Sequence, residues 1–187
     1  MSLLPAKQEI LEIMLLNEKP AKATEIANES KKEFRPVMMH ILWLARNGYV
    51  SSPEKGLYVI TEKGKEALGL PVINKEKATA ILAYSPHDKA FHFYADIGKP
   101  LDLHAHNLRD FANKVEKADI ASIEFHTKRG DFEAWFIGLG DVELAKKVAL
   151  LKQRNVVGED LRKQLREIGE QRYITLAKLA DQPVYTE

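Results

Sequence analysis

Residues 44–68, LARNGYVSSPEKGLYVITEKGKEAL, decide how the first part of the chain folds. A helical pattern ends at Gly48, and two β-favouring runs follow on either side of the polar segment SSPEKG. Thr61 then stands where a helix N-cap is expected, directly before the helical segment EKGKEAL. This order of signals predicts a short β-hairpin between two helices.

Three helical segments precede the hairpin: PAKQEILEIMLLN, KATEIANES and RPVMMHILWLARN. The third places Val37, Ile41 and Leu44 at helical spacing, so these side chains form the expected inward stripe. Pro36 suits the first turn of that helix, where a backbone N–H has no partner within the helix. Three helices followed by a hairpin is the order of a winged helix-turn-helix, which we predict for residues 1–70.

Three segments of this region also carry a resemblance. ATEIANES, LARNGYV and YVITEKGKEAL are similar to the second helix, the end of the recognition helix and the wing exit of PadR and MarR regulators. The resemblance covers about residues 5–70, and YVITEKGKEAL is its most specific part. It implies three helices with a short hairpin wing, and binding to double-stranded DNA. We therefore expect a transcriptional regulator, the alternative being a protein-interaction or scaffold module that does not bind DNA.

The expected recognition helix has an apolar outward face that basic residues flank. Base edges are read mostly by side chains with directional hydrogen bonds, whereas methionine contacts only a thymine methyl. We predict contacts mainly to phosphates, with base reading from Arg35, Met39 or His40. The alternatives are that the basic groups are simply solvated, and that Met38, Met39 and Trp43 contact a protein. The predicted DNA-binding residues are Lys31, Lys32, Arg35, Met39, His40, Arg46 and Lys55.

The second half begins after a predicted linker over residues 71–78, where GLPVINKE interrupts the helical pattern. Residues 79–187 are predicted to form an all-helical domain, so that the whole chain is mainly α. Ser85 resembles the start of a capping box and predicts a helix through residues 88–97, and Asn107 begins the next helix. We expect the apolar stripe of the last helix, residues 159–180, to pair in a homodimer; the alternative is that it closes the core within one chain.

The pattern Gly-Asp-x-Glu occurs twice, with its aspartates at Asp131 and Asp141. Each aspartate follows a glycine that can end a helix, and a glutamate lies in the next first turn, so we predict two helix N-caps rather than a carboxylate site. On this interpretation, Asp→Asn at either position leaves stability nearly unchanged, and Asp→Ala costs about 1 kcal/mol. We expect His126, just upstream, to bond a neighbouring backbone group or carboxylate.

Four segments of the second half, FHFYADIGKP, NLRDFANKV, SIEFHTKRGDFEAWF and LGDVELAKKVALL, carry a further resemblance. They contain the F-x-F, E-F-H, R-G-D-F-E-x-W and G-D-x-E-L-A motifs of an uncharacterised, mostly archaeal domain with no assigned activity. The resemblance covers about residues 88–175 and implies a compact helical domain for sensing or interaction. We expect an effector, either a small molecule or a protein, to bind this domain.

The sequence contains no cysteine, so a transition-metal site would need histidine and carboxylate ligands. One candidate set is His104, His106 and His126 with Asp131. Residues two apart on a helix point in different directions, so His104 and His106 would have to lie in an extended segment. We therefore predict no metal and no other cofactor.

Several classes of function are not indicated. The chain has no Gly-rich phosphate loop, no G-x-S-x-G and no H-E-x-x-H motif, so we predict that it is not an enzyme. Its formal net charge of +1 gives no general attraction to nucleic acid, so DNA binding depends on local placement of charge. Long apolar runs and a signal sequence are absent, so we expect no membrane association and a cytoplasmic location.

Overall fold

The computed structural model describes residues 3–184, and the chain divides into two compact units after Val72. Unit 1 comprises residues 3–72 and unit 2 residues 73–184 of this range. The described chain is mainly helical with small antiparallel sheets. Within residues 3–184, no helix combines the length and the apolar character that a membrane span requires.

Unit 1 combines helices with short strands. Its core contains the predicted stripe of α3, since Val37, Ile41 and Leu44 are fully buried together with apolar side chains of α1 and α2. The elements are α1 (Pro5–Asn17), β1 (Ala21–Lys22), α2 (Ala23–Ser30), α3 (Phe34–Arg46), β2 (Val50–Ser51), β3 (Leu57–Ile60) and α4 (Glu62–Ala67).

The predicted hairpin is present as β2 and β3, which pair antiparallel with Val50 opposite Ile60. β1 pairs with the other edge of β3, so the sheet order is β1-β3-β2. Because β1 has only two residues, its sequence carries no alternation from which a strand could be predicted. The sheet is therefore one strand larger than the sequence indicated.

The junctions on both sides of the hairpin follow the predicted chemistry. Gly48 has a φ of +77°, a left-handed conformation that glycine adopts without steric strain after the end of α3. Thr61 is the N-cap of α4, and its Oγ1 accepts a hydrogen bond from the Gly64 N–H at 3.1 Å. At Gly64 the helix passes directly against the Tyr49 carbonyl group, and an added Cβ would lie 2.3 Å from that oxygen.

Unit 2 packs six helices and a hairpin around one core. Its first helix begins at Lys75, within the segment predicted to be a linker. A short 3-10 turn, His87–Lys89, precedes the hairpin. The elements are α5 (Lys75–Leu82), β4 (Phe91–Asp96), β5 (Lys99–Ala105), α6 (Leu108–Lys117), α7 (Ile120–Arg129), α8 (Asp131–Leu139), α9 (Val142–Gln153) and α10 (Gly158–Leu179).

The β4–β5 hairpin corrects the prediction of an all-helical second domain, because residues 91–96 form a strand instead of a helix. Burial alternates along this strand: Phe91 and Phe93 are buried, whereas His92 and Tyr94 are half-buried. Such alternation is typical of a strand with one face on the core, and aromatic residues favour strands. The prediction of a helix rested on the capping signal at Ser85, but the Ser85 side chain caps no helix there.

The helix caps confirm two predictions and contradict one. Asn107 accepts from the Asp110 N–H at 2.8 Å, and Asp141 accepts from the Leu144 N–H at 3.1 Å. The prediction that Asp131 is an N-cap is wrong, since Gly130 occupies that position with a φ of +80° and Asp131 is the first residue of α8. The Asp131 side chain is therefore available for another partner.

The apolar stripe of α10 is buried within unit 2 except at its end, where Leu179 is 40% exposed. Leu161, Leu165 and Leu176 are each at most 1% exposed and pack in the core that α10 forms with α5, α6, α7 and α9. These leucines therefore close the core of one chain and cannot pair with a second copy, while the homodimer itself stays a prediction. At the two ends of the unit, the Lys75 ammonium and the Asp181 carboxylate form an ion pair at 2.6 Å.

Candidate functional site

The outward surface of α3 gathers three of the predicted DNA-binding residues. Arg35, Met39 and Arg46 follow each other at spacings of four and seven, opposite the buried stripe, and all three are exposed. The exposed fraction of Met39 is 66%. The surface thus has an apolar centre and a guanidinium group towards each end of the helix.

The other four predicted residues are not part of this surface, and their surroundings differ. Lys31 ends α2 in a left-handed conformation and is exposed, as is Lys55 in the turn between β2 and β3. Lys32 forms an ion pair with Glu9 of α1, so its charge is already partly neutralised. His40 is half-buried on the flank of α3.

The Trp43 side chain of α3 is partly covered by other residues of unit 1. The Lys7 ammonium lies 3.7 Å from the centre of the Trp43 ring, and the Tyr49 ring is stacked at 6.1 Å. Cation–π and aromatic contacts of this kind stabilise a partly exposed ring. Trp43 therefore has partners within the unit, and the exposed apolar surface of α3 is centred on Met39.

In unit 2, His126 joins β4 to the start of α8. Its ring is 3% exposed; Nε2 accepts a hydrogen bond from the Tyr94 N–H at 2.8 Å, and Nδ1 lies 2.8 Å from Oδ2 of Asp131. Arg129 also donates to Asp131, from Nε at 3.1 Å. The sequence-based expectation that His126 bonds a backbone group or a carboxylate is thus confirmed for both kinds of partner.

The two bonds define the protonation state of His126. A backbone N–H can only donate, so Nε2 must keep its lone pair and the proton must be on Nδ1, directed at the carboxylate. Burial lowers the pKa of His126 below its ordinary value, although Asp131 acts in the opposite direction. Both ring nitrogens are occupied, so this arrangement holds the neutral ring in place and leaves neither nitrogen to accept a proton from a substrate.

We expect His126 to keep the neutral Nδ1–H tautomer to a lower pH than an ordinary histidine, whose pKa is about 6.5. The unfolded chain then binds the extra proton, so His126 makes unit 2 less stable as the pH falls below about 6.5. Long-range ¹H–¹⁵N NMR spectra report the tautomer directly. A His126 ring that becomes charged at or above a pH of about 6.5 would contradict the assignment.

A second buried polar group lies between α9 and α10 and was not predicted from the sequence. Arg172 donates from Nε to Asp141, with oxygens at 2.8 and 3.1 Å, and its Nη1 lies 2.8 Å from Oε2 of Glu143. Lys147 pairs with the other oxygen of Glu143 at 3.0 Å. All four residues are at most 5% exposed. Asp141 is thus an N-cap and also one half of a buried ion pair.

No protein-family model, no curated protein and no solved structure matches this chain.

Proposed function

We propose that unit 1 is a winged helix-turn-helix that binds duplex DNA, within a transcriptional regulator. The observation that carries this proposal is the outward surface of α3, where Arg35 and Arg46 are both exposed on either side of Met39. A helix that presents basic groups on its solvent face, beside a short hairpin, has the shape and charge that a major groove accepts.

The spacing of the two arginines suits contacts to both edges of the groove. Eleven residues of helix span about 16 Å, and the major groove is about 12 Å wide. Arg35 and Arg46 can therefore reach phosphates on opposite strands while Met39 lies over the base edges, where it contacts a thymine methyl. Lys31 and Lys55 add phosphate contacts beside α3, and Lys32 contributes less because Glu9 holds its charge.

We expect Arg35→Ala and Arg46→Ala each to lower DNA affinity for every duplex sequence. Each phosphate contact that is lost should reduce the slope of log affinity against log salt by about 0.9. Fluorescence anisotropy with labelled genomic fragments over a range of salt concentrations measures both quantities. Lys99→Ala is the matched control, because it removes an exposed cation of unit 2. No binding by the unaltered chain at about 50 mM salt, where phosphate contacts bind most strongly, would reject DNA as the partner.

The second candidate function is protein interaction without DNA, which the exposure of Met39 and Phe34 favours. Met39→Lys separates the two functions. A third cation between the arginines should strengthen binding to DNA, whereas it should disrupt an apolar protein interface. Absence of DNA binding by both the unaltered chain and Met39→Lys would favour the interaction module.

As a regulator, the protein would also form a homodimer and bind an effector, a small molecule or a protein, through unit 2. Dimeric regulators read two half-sites that are related by symmetry. Since the apolar stripe of α10 is buried within the unit, the dimer must use another surface. A monomer mass by light scattering, in the presence of operator DNA as well as in its absence, would argue against this part of the proposal.

A further inference from the structure

Three histidines of unit 2 meet at the base of the β4–β5 hairpin. His92 of β4 lies directly opposite His104 of β5 in the register, and His87 comes from the 3-10 turn before β4. Each offers a ring nitrogen, and these three atoms lie within 4.8 Å of one another. The ring centres are 4.5–4.9 Å apart, with the rings inclined to one another instead of stacked in parallel.

The antiparallel register places two of the three side chains next to each other. Side chains that are directly opposite in an antiparallel pair lie on the same face of the sheet. The side chains of His92 and His104 are therefore neighbours. The third position is anchored from outside the hairpin, because the Trp135 indole N–H of α8 donates to the Lys89 carbonyl at the end of the turn, at 3.0 Å. The cluster is therefore held by secondary structure at all three positions.

Hydrogen bonds leave nitrogen lone pairs for a ligand. His92 Nε2 lies 2.7 Å from the His87 carbonyl oxygen, and a carbonyl can only accept, so Nε2 carries the proton and Nδ1 keeps its lone pair. A bond of this kind between the outer nitrogen and a carbonyl also orients metal-bound imidazoles. In His104, the Nδ1 atom is buried without a hydrogen-bond partner among the described residues. A buried nitrogen without a partner is costly, and a bound cation removes that cost.

We propose that His87, His92 and His104 bind a divalent transition-metal ion through three imidazole nitrogens, with a fourth position open to water or another ligand. Three nitrogen ligands without thiolate suit Zn²⁺ and the neighbouring metals Co²⁺, Ni²⁺ and Cu²⁺. In a tetrahedral zinc site, ligand nitrogens are about 3.3 Å apart, so the rings must close by a small rotation. His87 is exposed and His92 half-buried, so both rings have space to rotate.

A carboxylate lies beside the cluster. The fully exposed Asp102 side chain has an oxygen 3.7 Å from His104 Nε2, so it is placed as an outer partner of that ring. Metal-binding imidazoles commonly have such a carboxylate as an outer partner.

A fourth histidine lies close by and is held differently. His106 Nδ1 lies 2.9 Å from the Ser85 carbonyl oxygen, and its ring stacks on Tyr84 with centres 4.6 Å apart. Its ring centre is 6.3 Å from that of His87. We therefore place His106 outside the ligand set and use it as the matched control.

Zinc titration of the full chain without an added histidine tag tests the proposal. After treatment with chelator, isothermal calorimetry should show one Zn²⁺ per chain, and Co²⁺ should give the visible absorption bands of a low-coordinate site. His92→Gln and His104→Gln should each lower the affinity more than about 100-fold, because loss of an outer hydrogen bond to a zinc ligand alone costs roughly 10- to 100-fold. His106→Gln should stay within a few-fold of the unaltered chain. Circular dichroism of each variant shows whether it has folded.

Two results would overturn the proposal. One is the absence of Zn²⁺ and Co²⁺ binding by the unaltered chain, and the other is equal zinc affinity in the unaltered chain and in folded His92→Gln and His104→Gln variants. A loss of affinity in His106→Gln as large as that in His104→Gln would also overturn the assignment of the three ligands. Because no DNA is present in these titrations, their outcome is independent of the proposed function of unit 1.

Discussion

Arg172→Met is expected to destabilise unit 2 by about 3–5 kcal/mol, because it leaves the buried Asp141 carboxylate without its charged partner. Methionine retains packing along the aliphatic part of the arginine side chain, which limits the loss of contacts to the guanidinium group. The midpoint of thermal unfolding should fall by more than about 10 °C for a unit of this size. Urea unfolding, followed by the fluorescence of Trp135 in a Trp43→Phe background, isolates unit 2.

The chain offers a matched control on the same helix. Arg166 also belongs to α10 and also contacts two carboxylates, those of Glu170 at 2.9 Å and Glu116 at 3.0 Å, but its side chain is 43% exposed. Exposed ion pairs contribute about 0–1 kcal/mol, so Arg166→Met should be nearly silent. Equal losses in the two variants would show that burial of the Asp141 pair has no special effect.

A double variant tests the charge balance of the buried group. Asp141→Asn alone should be costly, in contrast to the expectation from its role as an N-cap, because Arg172 then loses a carboxylate. The double variant Asp141→Asn with Arg172→Met removes both charges of the Asp141–Arg172 pair. It leaves the Glu143–Lys147 pair intact, and the new asparagine can still cap α9. We therefore expect the double variant to be more stable than Arg172→Met alone.

Gly64→Ala should destabilise unit 1, although alanine is the better helix former by about 1 kcal/mol. The added Cβ would lie 2.3 Å from the Tyr49 carbonyl oxygen and 2.6 Å from Cγ1 of Ile60. A backbone carbonyl cannot rotate away as a side chain can, so α4 and the hairpin would have to separate. Overpacking of this kind costs about 1–3 kcal/mol or more. Trp43 fluorescence during urea unfolding, in a Trp135→Phe background, measures the loss.

Gly138→Ala is the control for this prediction. Gly138 lies within α8, and an added Cβ there would have no heavy atom within 4 Å. Helix propensity then acts alone, and the substitution should stabilise unit 2 by about 0.5–1 kcal/mol. Opposite signs at the two glycines are expected; stabilisation by Gly64→Ala would contradict the close approach of α4 to Tyr49.

Sequence reasoning predicted the helices of unit 1 well, because their apolar spacing and their end signals agree. Val37, Ile41 and Leu44 have helical spacing, Gly48 follows the end of α3, and Thr61 caps α4, so each local signal supports the same structure. The error in unit 2 arose where two signals conflicted. The capping pattern at Ser85 predicted a helix, whereas the alternation from Phe91 onwards indicated a strand, and packing against the core favoured the strand.

That single error also concealed the histidine cluster. On a helix through residues 88–97, His92 would not face His104, whereas the antiparallel register places them side by side. The Asp141–Arg172 pair was beyond prediction for another reason, since its partners are 31 residues apart and join two different helices. Caps are local and can be predicted from neighbouring residues, but ion pairs across a core depend on packing that no short segment specifies.

The ion pair between Lys75 and Asp181 has a consequence for the connectivity of unit 2. It brings the first residue of α5 next to the residues that follow α10, although 106 positions separate the two partners. The ends of the unit are therefore adjacent, and a short peptide would join them. A circular permutant that is joined there and opened at the exposed Gly98 turn should fold around the same core. Such folding would show that the packing of unit 2 does not depend on the order of its elements along the chain.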